Sequence, residues 1–250
     1  MKKYSLFFLT AACCLLFIKI FAVPYTYNAV LAKDTADNEL SKEEKKEGWK
    51  LLFDGKNLNG WRTYKNISGS WQVDNGMICS QKPTSDQNPD LITADMYENF
   101  ELRVDWKISP QGNSGIMYMV TEDHPASYES GPEYQLIDDE GFPEKIENWQ
   151  KTGAAYAIKA PAVKAYNAPG EWNHTVIIVN KGHVEHWLNG QKVVEYGLWS
   201  DEWKKAKEAG KWKDEAGYGA SKKGHIAFQA SHSNVEKSGV CFKNVKIKLL

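Results

Sequence analysis

The nine residues 100–108 (FELRVDWKI) alternate strictly between apolar and charged side chains. Apolar residues hold every even-numbered position and charged residues every odd one, and a period of two separates into two faces only in an extended strand. One face of this strand is therefore predicted to be buried and the other solvated. That is the pattern of a half-buried strand in an antiparallel sheet.

From residue 48 onward the chain continues as short alternating segments separated by turn residues, a spacing that favours one all-β sandwich domain. Further strands are predicted over residues 174–180, 183–188, 191–196, 225–232 and 240–250. Asn189-Gly190 stands between two of them and is the strongest hairpin signal, because a type I′ turn needs positive φ at both central residues.

One segment departs from the β pattern. Ser200 is a predicted helix N-cap, followed by acidic residues in the first turn, and Trp199, Trp203 and Ala206 recur at helical spacing until Gly210. We therefore expect a short helical excursion over residues 199–216, with a lysine-rich outer face.

The N-terminus has the features of an export signal. Two lysines precede an apolar stretch over residues 5–18, which is too short to span a bilayer comfortably. Residues 1–32 are predicted to be a signal peptide, cleaved after Ala22 or after Ala32. Export to the periplasm or cell surface is expected, with no integral membrane domain in the mature chain. Residues 10–13 (TAAC) make a poor lipobox, so no lipid anchor is expected.

Two further expectations concern the mature chain. Residues 33–47 are dense in charge and are predicted to be a solvated linker before a domain over residues 48–250. Cys79 and Cys241 are the cysteines outside the signal, too few for a disulfide scaffold. Two buried thiols are expected rather than one bridge.

The charge and motif content exclude several function classes. With 31 basic and 32 acidic residues the chain offers no electrostatic case for nucleic acid. P-loop, dinucleotide-binding, zincin and α/β-hydrolase motifs are absent. Ten Trp, 12 Tyr and 9 Phe suit a sandwich core, and they also suit sugar binding, because flat rings stack on apolar sugar faces.

Strand alternation singles out a few polar residues. Glu133 and Gln135 share one face of a predicted strand that Asp138 ends, and such a pair either binds a neutral ligand or faces water. His186 stands among apolar neighbours, which favours a hydrogen-bonded core histidine. The six histidines show no ligand spacing on one element, so the sequence gives only a weak signal for a metal.

Nine short motifs, in order, resemble the 3-keto-disaccharide hydrolase family and together cover about residues 47–250. They are residues 48–61 (GWKLLFDGKNLNGW), 71–78 (WQVDNGMI), 99–106 (NFELRVDW), 112–116 (GNSGI), 131–138 (GPEYQLID), 152–156 (TGAAY), 169–173 (PGEWN), 186–190 (HWLNG) and 224–229 (GHIAFQ). The resemblance implies a concanavalin A-like jelly roll of two curved antiparallel sheets, with the ligand groove on one of them.

The resemblance also implies an enzyme acting on an oxidised glycoside or disaccharide. A ketone at C3 acidifies the C2 proton, so that a base can remove this proton and the aglycone is eliminated from C1. Water then adds across the C1–C2 double bond, and the net reaction is hydrolysis. This chemistry needs a base, an oxyanion stabiliser such as Arg, His, an amide or a divalent metal ion, and assistance to the leaving oxygen. It does not need the two opposed carboxylates of an ordinary glycosidase.

The matching motifs supply the predicted site residues. Glu133 is the predicted base or metal ligand, with Arg103 and His186 as further catalytic candidates. The predicted substrate-binding residues are Asn113, Ser114, Gln135, Asp138, Tyr156, Gln229 and His232.

Two departures from the family pattern keep other functions open. Residues 230–232 read Ala-Ser-His where the family usually has Asp-His-Gly, and residues 148–151 read Asn-Trp-Gln-Lys where it often has Asn-His-Arg. Either the substrate differs or the activity is reduced. A non-catalytic lectin-like carbohydrate-binding module and an ordinary endo-glycosidase of the same fold are the alternatives.

Overall fold

The computed structural model describes residues 36–69, 71–81, 89–231 and 239–250. The described elements are α1 (Lys42–Lys46), β1 (Lys50–Leu51), β2 (Trp61–Thr63), β3 (Trp71–Asp74), β4 (Met77–Gln81), β5 (Leu91–Thr93), β6 (Phe100–Ile108), β7 (Asn113–Val120), β8 (Glu133–Ile137), β9 (Asn173–Asn180), β10 (His183–Leu188), β11 (Gln191–Gly197), α2 (Asp201–Ala209), β12 (His225–Phe228) and β13 (Gly239–Leu249). Short 3₁₀ turns cover Tyr64–Asn66, Ser127–Glu129 and Asn148–Gln150.

The described strands form two antiparallel sheets packed face to face. The larger sheet has the order β11-β10-β9-β6-β13-β4-β3, with β1 also paired to β13. The smaller sheet has the order β2-β5-β12-β7-β8. The all-β, concanavalin A-like jelly-roll prediction is confirmed, and the signal-peptide prediction falls on residues outside those described.

The alternation in β6 works as predicted. Its even-numbered residues are buried between the sheets and its odd-numbered residues are half-exposed on the outer face. Phe228 of the small sheet stacks on Phe242 of the large sheet, with ring centroids 4.0 Å apart, so apolar residues of both sheets meet in one core. Asn189 and Gly190 have φ of 48° and 81°, as the predicted hairpin turn requires.

The predicted helical excursion is also confirmed. The Ser200 hydroxyl accepts a hydrogen bond from the Trp203 amide at 3.1 Å and caps α2, which ends at Gly210. Trp203 is buried, and the turns after the helix bring Trp212 and Tyr218 into the same core, where their rings stack at 4.3 Å. The excursion is therefore packed onto the sandwich by its aromatic side chains.

The described part of the predicted charged linker is mostly exposed, as predicted, but it is also attached to the sheet. Residues 36–47 dock on the outer face of the large sheet, because Asn38 and Asn244 exchange backbone-to-side-chain hydrogen bonds at 2.6 and 2.9 Å. Ser41 closes a capping box on α1, and Glu44 pairs with Lys246 at 2.9 Å. Charged residues of this segment therefore form ion pairs with the sheet. Composition alone does not show whether such residues pair with the protein or face water.

The expectation of two buried thiols is wrong as well. Cys79 in β4 and Cys241 in β13 stand directly opposite each other in neighbouring strands and form a disulfide, with 4.2 Å between their Cα atoms. The two positions are 162 residues apart in sequence, so only the strand order brings them together. No helix in the described part of the chain is long and apolar enough to cross a bilayer.

Candidate functional site

A group of polar side chains lies on the outer face of the small sheet, away from the core. In β8, Tyr134 and Leu136 point between the sheets, so that Glu133 and Gln135 point outward. By the same alternation Asn113 projects outward from β7 and Gln229 from the end of β12. The predicted acid and amides therefore share one sheet face.

This face carries a cleft of about 150 Å³. It is lined by Asn113, Tyr128, Glu133, Gln135, Tyr156, Lys211, Trp212 and Gln229. An engineered apolar cavity of similar volume holds one benzene molecule, so the cleft has room for a single six-membered ring. Any second unit attached to that ring must lie at the rim, where Tyr128 and Trp149 are more than one-third exposed.

Glu133 is the buried carboxyl group of the cleft. Its side chain is 4% exposed and accepts no hydrogen bond from any group in the described part of the protein. Burial raises its pKa to about 8; the Lys211 ammonium opposes this rise and Asp90 adds to it. A carboxyl group with this pKa exchanges a proton near neutral pH, as a general base must.

Gly115 has no side chain, and this absence makes room for the Glu133 carboxyl group. A Cβ atom on Gly115 would lie 2.1 Å from Glu133 Oε1 and 2.8 Å from its Cδ. Gly115 has an ordinary strand backbone, so a glycine here serves close approach and not backbone conformation. The carboxyl group therefore rests directly over the backbone of β7.

The backbone of β8 is held on both sides. On one side it pairs with β7, and on the other the Tyr156 amide donates to the Glu133 carbonyl at 3.0 Å and the Gln135 amide to the Ala154 carbonyl at 3.1 Å. The segment 153–156 thus covers the open edge of the small sheet. Glu133 and Gln135 are positioned by a rigid three-row ladder, as a preorganised site requires.

An aromatic wall closes the cleft on the side of the helical excursion. The Trp212 indole donates to the Tyr156 carbonyl at 3.1 Å, and the Trp149 and Tyr156 rings meet edge to face at 5.4 Å. Lys211 Nζ lies 4.7 Å from the ring centroids of both Tyr156 and Trp212, and 6.0 Å from that of Tyr128. Tyr156 is placed as predicted, at the cleft.

Lys211, Trp212 and Tyr128 were not predicted as site residues. They come from loops outside the family motifs, and Lys211 belongs to a segment that reads as a solvated lysine-rich surface. A usable signal was present, because four aromatic residues recur among these lysines over residues 199–218. Such density is unusual for a surface that only faces water.

Arg103 does not reach the cleft, so the structure does not bring this predicted residue together with Glu133. It projects from the outer face of the large sheet, on the opposite side of the sandwich. There its guanidinium donates to Glu101 at 2.8 Å and lies 4.0 Å from the Trp49 ring centroid. Alternation places a residue on the solvated face of its strand but does not say which sheet that strand joins.

His186 is a core residue that does not line the cleft, in agreement with its interpretation as a hydrogen-bonded core histidine. It is fully buried, and burial lowers its pKa to about 4. The neutral ring donates from Nδ1 to the Gly153 carbonyl at 3.0 Å, so Nε2 accepts from the Tyr118 hydroxyl at 3.1 Å. Through Gly153 it anchors the segment that covers β8, which is a positioning role.

Three other predicted residues are not in the cleft lining. Ser114 is buried on the core side, because successive residues of a strand face opposite ways and its neighbour Asn113 faces outward. Its hydroxyl donates to the Gln229 carbonyl at 2.7 Å. Asp138 accepts from the backbone amides of Gln111 and Gly141, at 2.8 and 2.9 Å, and so shapes a loop. His232 lies outside the described residues.

Within the described ranges, two groups of side chains could bind a cation. In the cleft, Glu133 and the amide oxygens of Asn113, Gln135 and Gln229 are oxygen donors, the type that hard divalent cations take, with a single carboxylate among them. His183, Glu185 and Glu195 also lie close together, on the outer face of the large sheet. Lys192 already pairs there with both glutamates.

Comparison with solved structures defines the class of protein. A candidate glycosyl hydrolase from Parabacteroides distasonis is 44% identical and superposes with a TM-score of 0.79 over 86% of this chain and 100% of that one. The VIP36 exoplasmic/lumenal domain, in a form bound to Ca²⁺ and Man₃GlcNAc, is 8% identical with a TM-score of 0.51 over 82% and 91% of the two chains, which shows the fold alone. Fold and site together define a glycoside hydrolase-like protein.

Sequence comparison gives the family. The 3-keto-alpha-glucoside-1,2-lyase-like domain matches residues 48–248. A 3-keto-disaccharide hydrolase from Bacteroides thetaiotaomicron is 32% identical over 235 residues, which are 82% of this chain and 79% of that protein. The chain belongs to the 3-keto-alpha-glucoside-1,2-lyase-like family, and the predicted resemblance is confirmed.

Proposed function

We propose that the protein is an exported enzyme that cleaves 3-keto-glycosides by elimination across C1 and C2 followed by hydration. The observation that carries this proposal is the single buried carboxyl group of Glu133 in a cleft for one ring. Among the described residues that line the cleft, no second carboxyl group faces it. An ordinary retaining or inverting glycosidase needs two, whereas elimination from a keto-sugar needs one base.

The reaction follows from the acidity that the ketone gives to C2. Ionised Glu133 takes the C2 proton, the C–H electron pair forms a C2–C3 double bond, and the carbonyl pair moves to O3 as an enediolate. When the ketone re-forms, a C1–C2 double bond forms and the C1–O bond breaks. The leaving oxygen takes the proton from Glu133. Water then adds its oxygen to C1 and a proton to C2, which completes a net hydrolysis.

The other cleft residues suit recognition of one sugar ring. Asn113, Gln135 and Gln229 offer amide donors and acceptors to hydroxyl groups, with Gln135 Nε2 already within 3.4 Å of Asn113 Oδ1. Tyr156 offers a flat ring to the apolar face of a sugar. A divalent metal ion is also proposed as a cofactor. Held by the oxygen donors of the cleft, it would stabilise negative charge at the ketone oxygen.

Export is part of the proposal. The predicted signal peptide over residues 1–32 would direct the chain to the periplasm or cell surface. The Cys79–Cys241 disulfide supports this, because such bonds persist in oxidising compartments outside the cytosol.

The decisive test is product formation by the purified protein. We expect release of glucose from 3-keto-trehalose and of the aglycone from a 3-keto-β-glucoside, with no cleavage of the unoxidised sugars. Loss of activity in EDTA, restored by added divalent metal, would assign a metal cofactor. Saturable sugar binding without product would instead show a lectin-like module, and cleavage of unoxidised trehalose an ordinary glycosidase.

A Gly115→Ala substitution tests whether the Glu133 carboxyl group must rest on β7. The new methyl group would overlap Oε1 and crowd Cδ of Glu133, so the carboxyl group must move away from the sheet. A displacement of about 1 Å at a catalytic group costs roughly 10²-fold in rate, so we expect kcat to fall by about that factor. Steady-state kinetics on the keto-sugar would measure it.

Gly197→Ala is the matched control for that variant. Its Cβ would meet only Ser200 Cβ and Oγ, at 3.5 and 3.7 Å, at the far edge of the large sheet. If Gly115→Ala keeps the wild-type kcat and has the same thermal stability as the control, Glu133 is not the base that removes the C2 proton.

A further inference from the structure

Two charged groups of the cleft have unused hydrogen-bonding capacity that points at the same space. Lys211 carries three ammonium donors, and within the described ranges no carboxylate lies within 4.0 Å of it and no acceptor takes its hydrogen bonds. Glu133 accepts none from the same part of the chain. A ligand between them would therefore have to offer an acceptor to Lys211 and a proton to Glu133.

The surroundings of Lys211 hold its ammonium group in the cleft. Two aromatic rings lie 4.7 Å from Nζ, those of Tyr156 and Trp212, and a third, that of Tyr128, lies at 6.0 Å. Cation–π attraction fixes the position of a charge without neutralising it. Trp212 is itself 2% exposed and stacked on Tyr218, so this ring is held in place, while Tyr128 and Lys211 are exposed at the mouth of the cleft.

We propose that Lys211 is a catalytic residue that stabilises the negative charge on the enediolate oxygen while Glu133 holds the C2 proton. This inference rests on the proposed function and deepens it, because it supplies an oxyanion stabiliser from the cleft itself, whereas the candidates Arg103 and His186 do not line the cleft. The cation comes from the helical excursion and the base from the sheet, so the active site is assembled between the two.

Among the described residues, few charged or titratable groups face Glu133. Lys211 favours its ionised form and Asp90 disfavours it. Asp90 accepts from the Ala230 amide at 2.9 Å and from the Ser127 hydroxyl, and the other titratable neighbours in the described ranges are Tyr128, Tyr156 and Tyr218. Removing Lys211 therefore removes the cation of the set and raises the pKa of Glu133.

Lys211→Met tests the proposal, because methionine keeps the length of the side chain and loses its charge. Removal of one oxyanion donor typically costs 10²–10³-fold in kcat, so we expect a fall of about 10²-fold with KM changed less than tenfold. The acid limb of kcat/KM should move up by about one pH unit. Lys211→Arg should recover most of the activity, which a purely structural role would not require.

Lys213→Met is the matched control, since Lys213 is exposed like Lys211 but does not line the cleft, and it pairs loosely with Asp214 at 3.9 Å. A kcat of Lys211→Met within threefold of wild type, with an unmoved acid limb, would overturn the proposal. So would full loss of activity in Lys211→Arg with normal folding.

Titration of Glu133 by NMR of the carboxyl-labelled protein gives a readout that needs no turnover. We expect the pKa of Glu133 to rise in Lys211→Met and to stay unchanged in Lys213→Met. Wild-type protein that fails to cleave either keto-sugar would refute the proposed function. An unmoved Glu133 titration in Lys211→Met would refute the role of Lys211 separately.

Discussion

Glu133→Gln is expected to abolish turnover and at the same time to make the protein more stable. Loss of a general base costs roughly 10²–10⁴-fold, and the amide has the same shape as the carboxyl group, so the fold should persist. Burial raises the pKa of Glu133 from an ordinary value near 4.5 to about 8 in the folded chain. The ionised carboxylate is therefore a cost that the folded state carries for its chemistry.

The stability effect has a defined pH window. Between about pH 4.5 and pH 8 the folded chain holds one more proton at Glu133 than the unfolded chain, so stability falls as pH rises through this range. Above pH 8 the full penalty is present. The glutamine variant lacks the penalty, and we expect it to be more stable than wild type by on the order of 4 kcal/mol at pH 8 and by little at pH 4.

Denaturant unfolding at several pH values would measure this difference. Glu195→Gln serves as the control, because Glu195 is exposed on the other sheet and should leave activity unchanged. A Glu133→Gln variant that keeps its activity would refute the assigned base. A stability difference that does not grow between pH 4 and pH 8 would refute the raised pKa.

Removal of the disulfide is the second large effect that we expect. Cross-linking two residues 162 positions apart restricts the unfolded chain strongly, and the double substitution of Cys79 and Cys241 by alanine should lower the free energy of unfolding by roughly 3–5 kcal/mol. At roughly 2–4 °C per kcal/mol for a domain of this size, the melting temperature should fall by about 10 °C.

The bridge joins two strands of the large sheet, so the cleft on the small sheet should not be affected. We expect normal kcat and KM for the double variant at temperatures where it is folded. Wild type treated with a reductant should melt at the temperature of the variant. A melting temperature within about 2 °C of wild type would show that the bond does not form in solution.

The parts of the fold that the sequence predicted are those set by local pattern. Alternation over residues 100–108 and the Asn189-Gly190 turn depend on neighbours in sequence, and both are confirmed. Glu133 and Gln135 were correctly placed together because residues two apart in a strand share a face. Asn113 and Ser114 could not both line the cleft, for the same reason.

The parts that the sequence did not predict depend on strand order and loop packing. Arg103 faces outward, as alternation predicts, but its strand belongs to the large sheet and the cleft lies on the small one. Cys79 meets Cys241 only because β4 and β13 are neighbours. Lys211 lies in a loop whose position is fixed by the burial of Trp203, Trp212 and Tyr218. No short-range pattern encodes these relations.

The docked segment over residues 36–47 also sets which way the cleft faces. It is fastened to the outer side of the large sheet by Asn38 and Glu44, whereas the cleft opens on the outer side of the small sheet. Residue 36 therefore lies on the side of the sandwich opposite the cleft. A tether attached at this point would leave the domain from its back, away from the opening through which a glycoside enters.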